Sequence, residues 1–158
     1  RDIDDKDYID WQNKLMDLDF DITYKAHPKN KQSHEHNYKK VERKNLKQVF
    51  NEFDFYILDY MSTSFSIICA TDKPILYFNL GLRNMNKDAL KFVKDRVFCV
   101  DIDLNDSLEK QINKGINLYN NKIHNFTNNY TNKYCLSEEN VSEIDLLEKN
   151  IKELIYAN

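Results

Sequence analysis

Glycine and proline are nearly missing from this chain of 158 residues, which has two of each. There is no GxxxxGK[ST] loop, no GxGxxG turn and no GxSxG elbow, so the enzyme classes built on those turns lack support. The scarcity sits beside abundant Asn, Lys, Asp and Ile, which fits an A/T-rich coding bias more than a structural demand. Asn-x-Ser/Thr triplets at Asn105, Asn125, Asn129 and Asn140 follow from the same bias and are not read as glycosylation sites. Cysteine is also sparse. Cys69, Cys99 and Cys135 are odd in number, far apart and without metal-ligand spacing, which points to unpaired thiols in a reducing compartment. No apolar run approaches the roughly 18 residues of a membrane span, and no secretory leader is recognisable. The chain opens on Arg1 and not Met, and is read as a piece of a longer protein.

What is present is enough for a core. An apolar fraction of 41%, with 13% aromatic, argues against global disorder despite 31% charge and a mean hydropathy of -0.73. Charge is unevenly spread. Residues 25–47 carry eight Lys/Arg against Glu35 and Glu42, a local +6 in a chain of net charge -3, so the remainder sums to -9. A basic field in an acidic chain suits a small anionic ligand or acceptor, or simply a solvated helix face and loop. It argues against general nucleic-acid binding.

The hydrophobic pattern alternates helices and strands. Tyr8, Trp11, Leu15 and Leu18 predict an amphipathic helix, DITYKAHP a short strand, and KNKQSHEHNYKK a loop. VERKNLKQVFNEF is predicted helical, and FDFYILD a strand buried on both faces. FSIICA then reads as a short helix, ILYFN as a buried strand, NKDALKFVKD as a helix and RVFCVDID as a strand. Leu108, Ile112, Ile116, Tyr119 and Ile123 mark a long helix, and Val141, Ile144, Leu147, Ile151 and Leu154 a terminal one, capped by Ser137. Four strands alternating with helices predict one Rossmann-like α/β domain over residues 1–158, a parallel sheet flanked by helices.

Ligands of open α/β sheets gather beyond the carboxyl ends of the strands. Those ends are Lys25-Ala26-His27-Pro28, residues 59–64, residues 78–81 and residues 101–105. In LDYMSTSFS one of Ser62, Thr63 and Ser64 would cap the following helix, but one cap accounts for one hydroxyl. The others are candidates for phosphate contact at that helix start. His27, directed by Pro28, could take a proton from an attacking hydroxyl or, as imidazolium, stabilise a leaving diphosphate. Asp59 ends a buried strand and is expected to brace the hydroxyl turn through backbone N–H groups, with Lys25 as a second supporting residue. His34 and His36 lack a third ligand, and Asp101, Asp103 and Asp106 read as solvated or capping carboxylates, so no metal site is assigned. Lys73 falls at the opposite sheet edge and is set aside.

YKAHPKN, followed by DFYILDYMSTSFSIICATDKPILYF, resembles the C-terminal half of the CDP-glycerol glycerophosphotransferases, the teichoic-acid polymerase type. The likeness covers roughly residues 20–80: a K-x-HP element, an acidic-hydrophobic strand into a DYSS-like turn, an apolar helix and a KPI strand. It implies the C-terminal, nucleotide-donor domain of a two-domain GT-B transferase, with an N-terminal acceptor domain beyond these residues. It further implies His27 as the catalytic histidine and Ser62, Thr63 and Ser64 as donor-phosphate ligands. The implied reaction moves glycerol phosphate from CDP-glycerol to a polyol-phosphate or glycan acceptor, releases CMP and needs no metal cofactor. It would run in the cytoplasm or on the inner face of the plasma membrane. Members commonly carry Arg-Gly after the KPI strand, where this chain has Arg96-Val97. A UDP-linked or other nucleotide-sugar donor for capsule or lipopolysaccharide synthesis is the neighbouring reading, and a non-catalytic α/β interaction module is the reading from another class.

Overall fold

A computed structural model of the chain describes residues 5–26, 38–121 and 126–135. Its centre is a three-stranded parallel sheet, ordered β3-β4-β5, made by Tyr56–Leu58 (β3), Ile75–Asn79 (β4) and Phe98–Asp101 (β5). Register runs Tyr56 to Ile75 and Leu58 to Tyr77 on one side of β4, and Leu76 to Phe98 and Asn79 to Asp101 on the other. Helix α3, Thr63–Cys69, links β3 to β4, and α4, Lys87–Arg96, links β4 to β5.

The two faces of β4 have separate covers because strand side chains alternate. Ile75 and Tyr77 pack with Phe65, Ile68 and Cys69 of α3 and Val93 of α4. Leu76 and Phe78 pack with Trp11 and Leu15 of α1 (Asp5–Met16) and Ile112 of α5 (Leu108–Asn120). The molecule is therefore mixed α/β with parallel strands flanked by helices on both faces, the Rossmann-like arrangement expected from the sequence.

Both glycines meet steric demands. Gly81, just past β4, has φ 71, a left-handed conformation that L side chains rarely adopt. Gly115, in mid α5, lies so close to β4 that an added Cβ would stand 2.7 Å from Phe78 Cε1 and 3.1 Å from Leu76 Cδ1.

Three expectations need correction. The first predicted strand does not join the main sheet: Tyr24–Lys25 (β1) pairs in parallel with Val41–Glu42 (β2) as a separate two-stranded unit. Its ladder is closed by Tyr24 N–H to the Lys40 carbonyl at 2.8 Å and Ala26 N–H to the Glu42 carbonyl at 3.0 Å. The helix predicted from residue 41 shrinks to Leu46–Val49 (α2), because Val41 and Leu46 are five apart and off the helical period, and Asn45 caps the helix at Lys47 N–H. Finally, β3 is not buried on both faces. Among the described residues it has one strand neighbour, and of its three residues only Tyr56 is buried, while Ile57 and Leu58 are half-buried.

The other helices form where expected, α4 capped by Asn86 and α5 by Ser107. A π-helical turn, Thr131–Cys135, packs on α3, where the Thr131 hydroxyl donates to the Cys69 carbonyl at 2.7 Å. Among the described residues no helix is long and apolar enough to cross a membrane. The predicted terminal helix and its Ser137 cap lie outside the described residues.

Candidate functional site

The edge of β3 away from β4 opens onto a cavity of about 600 Å³. Its walls come from α1, the segment leading into β1, the exit of β2, β3 itself and the start of α3. Lys25, Asp59, Ser62, Thr63 and Ser64 all line it, so residues from two distant stretches of sequence meet as expected. Ala26 lines it as well; His27, the next residue, lies outside the described residues, as do His34 and His36.

The hydroxyl turn divides its work. Ser62 is the cap: its backbone is extended, and its Oγ accepts the Ser64 N–H at 3.3 Å. The phenylalanine next in line, Phe65, is buried under Tyr77 and Tyr130, which anchors the turn to the core. Thr63 is exposed and Ser64 half-buried, and both stand on the cavity wall.

Asp59 is held differently from the expectation. The side-chain donors that hold it come from α1: Tyr8 Oη at 3.2 Å, Trp11 Nε1 at 3.3 Å and Gln12 Nε2 at 3.5 Å, all to Oδ2. Positions 8, 11 and 12 share one helix face, so a single turn of α1 presents three donors at once. Burial pushes the Asp59 carboxyl above the ordinary carboxylate range, and the bonds from Gln12, Trp11 and Tyr8 oppose that rise. Burial, followed by the charge of Asp59, also raises the Tyr8 phenol. Tyr38 extends the network by donating to Gln12 Oε1 at 3.0 Å while its ring stacks on Tyr24, with centroids 3.8 Å apart.

The cations are partly committed. Lys25 Nζ donates to the Ala26 carbonyl at 2.8 Å. Lys40 pairs with Asp21, 2.6 Å from its Oδ2, at an exposed site. Arg43 is exposed and on the cavity wall. Arg83, past β4, donates from Nε to the Tyr60 hydroxyl at 3.0 Å and lies 5.1 Å from the centre of that ring, itself part of the cavity wall.

Tyr8, Gln12, Tyr38 and Arg83 were not read as site residues in the sequence, and Arg43 entered only as part of the basic stretch 25–47. The available signal was Gln12, a polar residue four positions after Tyr8 beside the buried Trp11, together with a strand-end aspartate that needs donors.

The aspartates near β5 serve local structure. Asp101 accepts from Asn79 Nδ2 and from Lys94 Nζ, both at 2.7 Å, and Asp103 Oδ1 accepts the Asn105 N–H at 3.0 Å. Asp106 accepts the Ser107 N–H at 2.7 Å. Among the described residues no group of three or more His, Cys, Asp or Glu side chains is arranged to hold a metal ion. Arg96 is buried, and its guanidinium serves main-chain carbonyls: Cys69 at 3.1 Å, Lys73 at 3.2 Å and Thr71.

Comparison with protein-family models, curated proteins and solved structures gave no match to this chain.

Proposed function

We propose that the chain is the donor-binding domain of a cell-surface polymer transferase that takes glycerol phosphate from CDP-glycerol. The observation that carries this reading is the meeting of Lys25, Asp59 and the Ser62–Ser64 hydroxyls on one cavity at the edge of β3. A volume of about 600 Å³ lies within the range of small-molecule sites. Its mixture of aromatic walls, hydroxyls and cations suits a nucleotide: rings for the base or sugar, hydroxyls and Arg43 for phosphate.

In the proposed reaction an acceptor hydroxyl attacks the phosphorus that bears glycerol. The new P–O bond forms as the P–O bond to CMP breaks, and the acceptor proton is lost to a base. His27 fills one of two roles, as that base or as an imidazolium on the departing phosphate. Hydroxyl donors and basic side chains stabilise the developing charge, so the reading invokes no metal. It implies a polyol-phosphate or glycan acceptor, an acceptor-binding domain beyond these residues, and work at the cytoplasmic face of the plasma membrane.

A nucleotide-sugar donor is the second reading. It is favoured by Arg96, which stands in place of the Arg-Gly pair of the glycerophosphotransferases yet is engaged with carbonyls in the core. Calorimetric titration with CDP, CMP and UDP separates the two. Tighter binding of CDP than UDP supports glycerophosphate transfer, and a UDP preference supports a glycosyltransferase. Failure of a folded, full-length protein to bind any of the three leaves a non-catalytic α/β module.

A further inference from the structure

Asp59 presents two unlike oxygens. Oδ2 takes all three donors from α1, at 3.2 to 3.5 Å. No other described residue donates to Oδ1, although Asp59 lines the cavity. A carboxylate has about four lone-pair positions, and beyond the α1 donors only the backbone N–H of Asp59 itself bonds the group, so a donor arriving from the cavity can add a further charge-assisted bond. The α1 network holds the carboxylate in a set orientation, so little freedom is lost when that donor binds.

We propose that Asp59 Oδ1 accepts a hydrogen bond from a hydroxyl of the ligand's sugar or polyol portion, next to the phosphate held at the Ser62–Ser64 turn. This rests on the nucleotide-donor reading above and names what that site recognises besides phosphate. An anionic group is disfavoured beside a carboxylate, whereas a neutral hydroxyl is not. Asp59 and Ser62 are three residues apart, so their backbones are at most roughly 10 Å apart. That reach suits a phosphate and the hydroxyls attached a few bonds away from it. Such hydroxyls come from the ribose of the nucleotide or from the glycerol being transferred.

Two ligand pairs distinguish the sources: CMP against 2′,3′-dideoxy-CMP, and glycerol 3-phosphate against propyl phosphate. Each is titrated by calorimetry into the wild-type chain and into Asp59→Asn. The Asn carbonyl can still accept from α1, but its amide nitrogen replaces the free acceptor with a donor. In wild type, the member of one pair that lacks hydroxyls is expected to bind at least about tenfold more weakly. In Asp59→Asn the hydroxyl-bearing partner should fall to the same weak level. Equal wild-type affinities within both pairs overturn the inference, and so does discrimination that persists in Asp59→Asn. The titrations are run below the melting temperature of Asp59→Asn, and equal affinities within both wild-type pairs overturn the inference whatever that variant's stability. A wild-type chain that binds neither CMP nor glycerol 3-phosphate overturns the nucleotide-donor reading and this inference with it. Binding without discrimination overturns the inference alone.

Discussion

The phenol of Tyr8 donates to Asp59 Oδ2 at 3.2 Å, joining residues 51 apart in sequence. With Trp11 and Gln12 it fastens the first helix to the carboxyl end of β3, the point from which the hydroxyl turn departs. The cavity wall and the core are thus one construction, since Trp11 also meets Phe78 edge-on at 5.1 Å.

Because Asp59 carries a raised carboxyl pKa in the folded chain, its contribution to stability depends on pH. The sign follows from linkage: stability is fully present below the unfolded value and is lost as pH rises through the folded one. Asp59→Asn removes that loss. Its stability relative to wild type should therefore rise from about pH 4 upward and level off above the folded value. Urea unfolding of both proteins between about pH 4 and about pH 8 measures this, and a relative stability that falls with rising pH contradicts it.

Arg96 is buried and serves three carbonyls at the end of α3 and in the turn that follows. Arg96→Met keeps an apolar stem but orphans those acceptors, at a cost of about 3 kcal/mol. Arg96→Lys should recover only part of it, because one ammonium cannot reproduce the planar fork. Urea midpoints at unchanged slope would carry the comparison; a Lys variant equal to wild type speaks against the fork.

Gly115→Ala gains up to about 1 kcal/mol of helix propensity. It must also force a methyl against Phe78, whose ring is fully buried against Trp11 and has nowhere to go. Overpacking of this kind costs about 1–3 kcal/mol, so the net effect is destabilising. Thermal unfolding reads the sign, and a raised midpoint would refute the close approach.

The thiols of Cys69 and Cys99 are each pushed up to about 12 by burial. The thiolate is the reactive form, so neither should be alkylated at an appreciable rate near neutral pH until denaturant is added. Mass spectrometry after iodoacetamide treatment tests this, and rapid native labelling at Cys69 would contradict its burial.

Much of this was legible in the residues. ILYFN reads as a doubly buried strand because all positions but the last are large and apolar, and β4 is the central strand. The hydroxyl turn was legible because capping consumes one oxygen and three were present. The pairing of β1 with β2 was not, since two-residue strands carry no periodicity and Val41 fits a loose helical pattern as readily. Nor were the donors on Asp59, because Tyr8 and Trp11 look like ordinary core residues until the fold brings Asp59 under them.

The central claim is that the hydroxyl turn holds the phosphates of a nucleotide. Its most direct test is calorimetric titration of CDP into wild type and into a Thr63→Ala/Ser64→Ala variant. That variant spares the Ser62 cap, so α3 keeps its N-terminal bond. Wild type should bind CDP, and the variant should bind it about tenfold or more weakly with an unchanged melting temperature. Equal affinity in the two folded proteins, or no binding by wild type, would contradict the claim.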